Sequence, residues 1–213
     1  MFYPRDSYPG VYQYFRALED AFDGTYGQLG RMTSAKIAEL RNDGVKSFRM
    51  SRDGEFVLSV PLPNPAINRG RTEISLTKSG TRWKFKVCDV FTDLNGHVVS
   101  KNERMTASIE NEYFYITKFN RGFNNVCNGR YIHSSNDRIG FEMHYRSEDH
   151  AGGKVTPGRI ENGHKMVQEL AGKLGIFVNS LGLRRIDLPD FEKSFEKVQT
   201  TKNTGIIQRL FGR

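Results

Sequence analysis

The chain has 213 residues, a formal net charge of +8 and an isoelectric point near 9.5. That length can bury a core without disulfides or metal, and two scattered cysteines, Cys88 and Cys127, make no disulfide framework and point to a reducing compartment. No apolar run reaches the roughly 18–20 residues of a membrane span, and the opening Met1-Phe2-Tyr3-Pro4-Arg5-Asp6 lacks a charged-then-apolar leader. The expectation is a cytoplasmic protein with no membrane span.

Val11, Phe15, Leu18 and Phe22 recur at helical spacing after Tyr8-Pro9-Gly10 and predict a first helix. Gly24, Gly27 and Gly30 then read as a turn-rich stretch. Thr33 or Ser34 suits the N-cap of a second short helix through Ile37 and Leu40, which Asp43-Gly44 ends. From about residue 45 to 146 the apolar period becomes two. Phe48 and Met50 lead one strand, Asp53-Gly54 makes a hairpin turn, and Phe56, Leu58 and Val60 share a face of the next. Pro61, Pro63 and Pro65 break the pattern into a loop. Ile74 and Leu76 mark another strand, and Ser79-Gly80 turns the chain into Trp83, Phe85 and Val87, which alternate with Arg82, Lys84 and Lys86. After the Asn95-Gly96 turn, Val98 and Val99 open one strand, and Met105, Ala107 and Ile109 lead another. Tyr113 to Phe119 is a further strand, and Ile139, Phe141, Met143 and Tyr145 mark the last, after a loop.

Residues 147–163 read as a loop. A long amphipathic helix follows, with Val167, Leu170, Leu174, Phe177, Val178 and Leu181 as its stripe and Gly182 as its C-cap. Pro189 opens a final helix carrying Phe191, Phe195 and Val198. The pattern divides into an N-terminal helical lead (1–44), an α+β core (45–199, with its sheet in 45–146 and helices in 160–199) and a linker with an apolar tail (200–213). The fold class is α+β: an antiparallel meander flanked by N-terminal helices and a long C-terminal helix. The helices cover one face of the sheet and leave the other free.

Two clusters carry the basic charge. Arg69, Arg71, Lys78, Arg82, Lys84 and Lys86 face a single acid, Glu73, between residues 68 and 86. Alternation puts Arg82, Lys84 and Lys86 on one face of a strand, about 7 Å apart, a spacing that suits successive phosphates of an extended single strand. A solvated face that blunts an edge strand would read the same way. The second cluster is Lys118-Phe119-Asn120-Arg121-Gly122-Phe123-Asn124-Asn125, followed by Gly129-Arg130-Tyr131. It reads as a loop in which rings could stack unpaired bases while cations meet phosphates. The alternative is a plain connection whose Phe119 and Phe123 tuck into the core.

Arg121-Gly122-Phe123 and Val126 resemble the RNP1 signature of RNA-recognition motifs, but Asn124, Asn125 and Asn128 depart from it, and one of them replaces a stacking ring. That family is therefore not assigned. The hairpin-built meander, the helix Val167–Leu181 and the basic strand face together resemble the layout of Whirly-type single-strand binders and similar RNA-binding proteins of large bacteriophages. The resemblance implies oligomerisation and binding of single strands along sheet edges.

Signatures of catalysis are sparse. No Gly-Lys-Ser/Thr completes a P-loop, and no Cys-x-x-Cys accompanies the five histidines, His97, His133, His144, His150 and His164. Asp149-His150 with Asn162 and His164 resembles an HNH-type nuclease only faintly, because the flanking hairpin cysteines are missing. The sequence-based expectation is a non-enzymatic binder of single-stranded RNA or DNA, without cofactor or metal. Arg69, Arg71, Arg82, Lys84, Lys86, Lys118, Arg121 and Arg130 would meet phosphates; Phe119, Phe123 and Tyr131, with Trp83 behind them, would stack. Two alternatives stand beside it. One is an adaptor, whose Ile206, Ile207, Leu210 and Phe211 dock a protein partner; the other is a metal-dependent nuclease acting through His150 and His164.

Overall fold

The computed structural model describes residues 2–4, 6–42, 47–51, 53–62, 70–110, 113–119, 126–134, 138–146, 157–185 and 187–198. The chain runs β1 (Phe2–Pro4), α1 (Pro9–Gly30), α2 (Ser34–Asn42), β2 (Ser47–Met50), β3 (Phe56–Pro61), β4 (Gly70–Ser79), β5 (Arg82–Thr92) and β6 (Val98–Glu110). It continues with β7 (Tyr113–Phe119), β8 (Val126–Ser134), β9 (Arg138–Arg146), α3 (Pro157–Ser180) and α4 (Phe191–Ser194). The strands form one antiparallel sheet in the order β1-β9-β8-β7-β6-β5-β4-β3-β2. Every neighbouring pair from β2 to β9 is consecutive in sequence, so hairpins alone build the meander. The sheet stays open, with β1 and β2 at its edges. This is the α+β arrangement that the periodicities predict.

α1 and α3 lie on the same face. Their stripes, Val11, Phe15, Leu18 and Phe22 from α1 and Val167, Leu170, Leu174 and Phe177 from α3, share one core with Phe48, Phe56, Leu58, Ile74, Leu76, Trp83, Phe85, Val87, Met105, Ala107 and Ile116. Aromatic rings knit this layer. Phe22 stacks on Trp83 at 3.9 Å between ring centres and meets Phe85 edge-on at 5.4 Å, while Phe177 meets Phe85 from α3. At the far end of α1 a Cβ added to Gly10 would stand 2.7 Å from the Ser194 carbonyl oxygen, so the α4 segment rests directly on that helix. The backbone N–H of Val198 donates to the Ser7 carbonyl (2.9 Å) and closes the same corner.

Several expectations change. α1 does not stop before the glycines; it runs through Gly24 and Gly27 to Gly30. Burial of Thr25 and Leu29 carries it, with the Thr25 hydroxyl donating to the Ala21 carbonyl (2.7 Å), and this outweighs the roughly 1 kcal/mol that each helical glycine costs. The two strands expected between Val98 and Ile109 are one strand, β6. Val87 faces Met105 while Cys88 faces Glu103, so Arg104 is an extra residue; Val99 is another, between the Phe91–Ser100 and Thr92–Val98 pairs. These bulges reset the alternation and hide the strand's continuity. β8 occupies a stretch expected to be loop, because Asn128-Gly129 imitates a turn until β7 and β9 pair on both sides. The final helix is only Phe191–Ser194, and its N-cap is Asp190, whose carboxylate accepts from the Lys193 N–H. Thr33 caps α2 as expected, accepting from the Lys36 N–H (3.2 Å). Gly54, Gly80, Gly96 and Gly182 all take positive φ at the turns and cap where the sequence places them.

Candidate nucleic-acid interface

The pairing register sorts the strand residues between the helix-covered face and the opposite one. Rows crossing the second face can be read directly. Arg49, Val57, Ser75, Lys86, Thr106, Thr117, Asn128 and His144 form one row. Thr77, Lys84, Ser108, Tyr115, Arg130 and Glu142 form the next, and Arg71, Val90 and Lys101 another. Adjacent positions within a row are about 4.8 Å apart, and alternate residues of one strand about 7 Å apart. Arg82 continues the Lys84–Lys86 side of β5.

Basic residues concentrate on this helix-free face. Arg49, Arg71, Arg82, Lys84, Lys86 and Lys101 lie on it, joined at register positions by Arg130, Arg138 and Arg146. The acids that share it are Glu73, Glu103, Glu110 and Glu142. On the helix side Lys78 pairs with Asp23 (2.7 Å), and Arg104 pairs with the buried Asp89 (3.0 Å), which also accepts from the Thr72 hydroxyl.

The helix-free face is not bare. Val57, Ser59, Ser75, Cys88 and Val90 are buried on it, and so is Glu73. Around the Glu73 carboxylate three cations converge. Arg71 Nε donates to Oε1 at 3.0 Å, Arg49 Nη2 reaches the same oxygen at 3.5 Å, and Lys101 Nζ lies 3.5 Å from Oε2. Glu103 accepts from the Thr106 hydroxyl. Burial is the main cause holding the Cys88 thiol above its ordinary pKa; Lys101 and Lys86 pull it back, and Glu103 and Glu73 push it further up.

Against this geometry the sequence-predicted residues separate. Lys84 is exposed and Lys86 half-buried, side by side on the helix-free face, with Arg82 exposed beside them. Arg71 is there too, but engaged with Glu73. Phe119 and Arg130 hold register positions on this face, whereas Lys118 (opposite Met105) and Tyr131 (opposite Phe114) hold positions on the other. Of that cluster, Lys118 and Phe119 end β7 and Gly129-Arg130-Tyr131 lie in the body of β8, where a strand sends alternate residues to opposite faces, while residues 120–125 lie outside the described residues. Trp83 is buried against Phe22 on the helix side and has no access to a base. Arg69, Arg121, Phe123, His150 and the tail residues Ile206, Ile207, Leu210 and Phe211 lie outside the described residues. Sequence reasoning missed Arg49, Lys101 and Tyr115. Alternation with Phe48 already sets Arg49 on the side away from the core, but only the register brings the three residues onto one face with Lys84 and Lys86.

His164 lies on α3 among aromatic rings, and its expected partner His150 lies outside the described residues. Its ring packs at 4.2 Å from that of Phe195 and 5.5 Å from that of Phe191. Burial lowers its pKa below the ordinary imidazole value, against a smaller upward pull from Glu192. The fold therefore favours the neutral ring, so the stability it contributes is fully present above about pH 6.5, the unfolded value, and is lost as pH falls through the lower folded value. The melting temperature is expected to drop as pH falls below about 6.5, and His164→Leu should flatten that drop. Parallel pH profiles for the two proteins would remove His164 as the cause.

Among the described residues no group of three or more His, Cys, Asp or Glu side chains could hold a metal ion, and no helix is long and apolar enough to cross a membrane. A cleft of about 420 Å³ between α1, α3 and residues 185–188 is lined by Ala21, Leu174, Ile176, Val178 and Leu188 among others. Its acid and base, Asp187 and Arg185, are exposed and 3.9 Å apart. No protein-family model matches the chain, and no curated protein or solved structure matches it.

Proposed function

We propose that the protein is a non-enzymatic nucleic-acid-binding protein whose helix-free sheet face takes the backbone of single-stranded RNA or DNA. The observation that carries this reading is the segregation of charge: Arg49, Arg71, Arg82, Lys84, Lys86 and Lys101, six of the eight basic residues of β2, β4, β5 and β6, lie together on the face that no described helix covers. Neutralising successive phosphates there would release counterions, the main source of sequence-independent affinity. Tyr115, half-buried, sits in the row Lys84–Ser108–Tyr115–Arg130 and supplies a ring among cations, the pairing that holds an unstacked base. A broad sheet surface can accept splayed bases, which a duplex does not offer. The layout likeness to Whirly-type binders agrees with this class of ligand.

The test is an electrophoretic shift series with single-stranded and duplex nucleic acid at two salt concentrations. A single-strand shift that weakens with salt is expected, by about 0.7 in the log–log slope for each phosphate contacted. Absence of any shift at low salt, or binding indifferent to salt, would remove the proposal.

A further inference from the structure

We propose that Arg49, Arg71 and Lys101 form a preorganised phosphate-binding site on the helix-free face, and that buried Glu73 is the positioning residue that holds them together. This deepens the nucleic-acid reading and rests on it; the ligand is a backbone phosphate of the bound single strand.

The charges do not cancel. One carboxylate faces three cations, so the cluster keeps an excess of two positive charges. Only the acid is deeply buried: the Glu73 side chain is 7% exposed, against 62% for Arg49, 36% for Arg71 and 57% for Lys101. The negative charge thus lies at the floor and the positive groups form the rim. Donors remain for a ligand as well. A guanidinium has five N–H donors and an ammonium three, and the carboxylate engages Arg71 through Nε and Nη2, Arg49 through Nη2 and Lys101 through Nζ.

Long cationic side chains ordinarily lose rotamer freedom when they grip a phosphate. Here the carboxylate has ordered them already, so that cost is met before the ligand arrives. The cluster also continues the cationic track. Glu73 pairs across to Cys88, and Lys86 lies two residues before Cys88 on the same face, about 7 Å along the strand. Arg71 and Lys101 stand two strands apart in one row, about 10 Å, with Val90 between them.

Glu73→Gln separates this idea from simple charge counting. The substitution makes the protein one unit more positive, so electrostatics alone predicts tighter binding of poly-uridine. Loss of preorganisation predicts the opposite, a fall in affinity of roughly fivefold. The exposed cations provide a second arm that does not strain the fold. Arg49→Ala and Lys101→Ala should each weaken binding and lower the salt slope by about 0.7. Equal or tighter binding by a folded Glu73→Gln protein overturns the positioning role. Unchanged affinity in both alanine variants, while changes at Lys84 and Lys86 still weaken binding, overturns the site and leaves the wider reading standing. A wild-type protein that does not bind poly-uridine at all removes both. Inorganic phosphate titrated into the wild type should show no saturable binding; saturable binding abolished by Glu73→Gln would assign the site to the free anion and overturn the backbone assignment.

Discussion

Replacing Phe22 by alanine is expected to destabilise the protein by about 3–5 kcal/mol. Phe22 is fully buried near the middle of α1, its ring flat on Trp83 and edge-on to Phe85, so one side chain joins the helix to the first half of β5. Truncation removes the transfer energy of the ring and leaves a void whose walls are themselves rigid aromatics. In a chain of this size the loss corresponds to a melting shift of about 6–20 °C. Thermal and urea unfolding followed by circular dichroism would measure it. Ile176→Ala is the control: that side chain is 48% exposed, and a change within about 0.5 kcal/mol is expected. A loss below about 1 kcal/mol at Phe22 would mean that the ring layer does not hold the helices to the sheet.

The double change Lys84→Glu, Lys86→Glu is expected to lower affinity for single-stranded nucleic acid by about tenfold or more. The two ammonium groups lie on one face of β5, about 7 Å apart, and neither is ion-paired among the described residues. Reversal replaces two attractions with two repulsions on the same track. The effect should be uniform across base sequences, because phosphates carry no sequence information. The salt slope should fall by about 1.4, two contacts at 0.7 each. Trp83 and Phe85 point to the opposite face and keep the core, so the melting temperature should stay close to that of the wild type. Binding left intact in this variant would take β5 out of the interface.

Positions where the two sides of a strand differ in chemistry were readable from the chain. Arg82, Lys84 and Lys86 alternate with Trp83, Phe85 and Val87, and the structure buries the second set and leaves the first on the helix-free face. Elements whose local signals contradict their environment were not readable. Gly24 to Gly30 looks like a turn until buried Thr25 and Leu29 hold it in helix, and Asn128-Gly129 looks like a turn until strands pair on both sides. The surroundings of His164 were not readable for a related reason: the rings of Phe191 and Phe195 come to it from the segment beyond α3.

The sequence by itself determined the architecture in outline: hairpin strands, an amphipathic helix before and after them, and a basic stripe on β5. Period and turn chemistry are local properties, and each stripe has one face that water rejects. The convergence of Arg49, Arg71 and Lys101 on Glu73 was decided only in three dimensions. So was the division of Lys118 and Tyr131 from Phe119 and Arg130. Both depend on which residue of one strand stands opposite which residue of the next, and a slip of one position would exchange the faces.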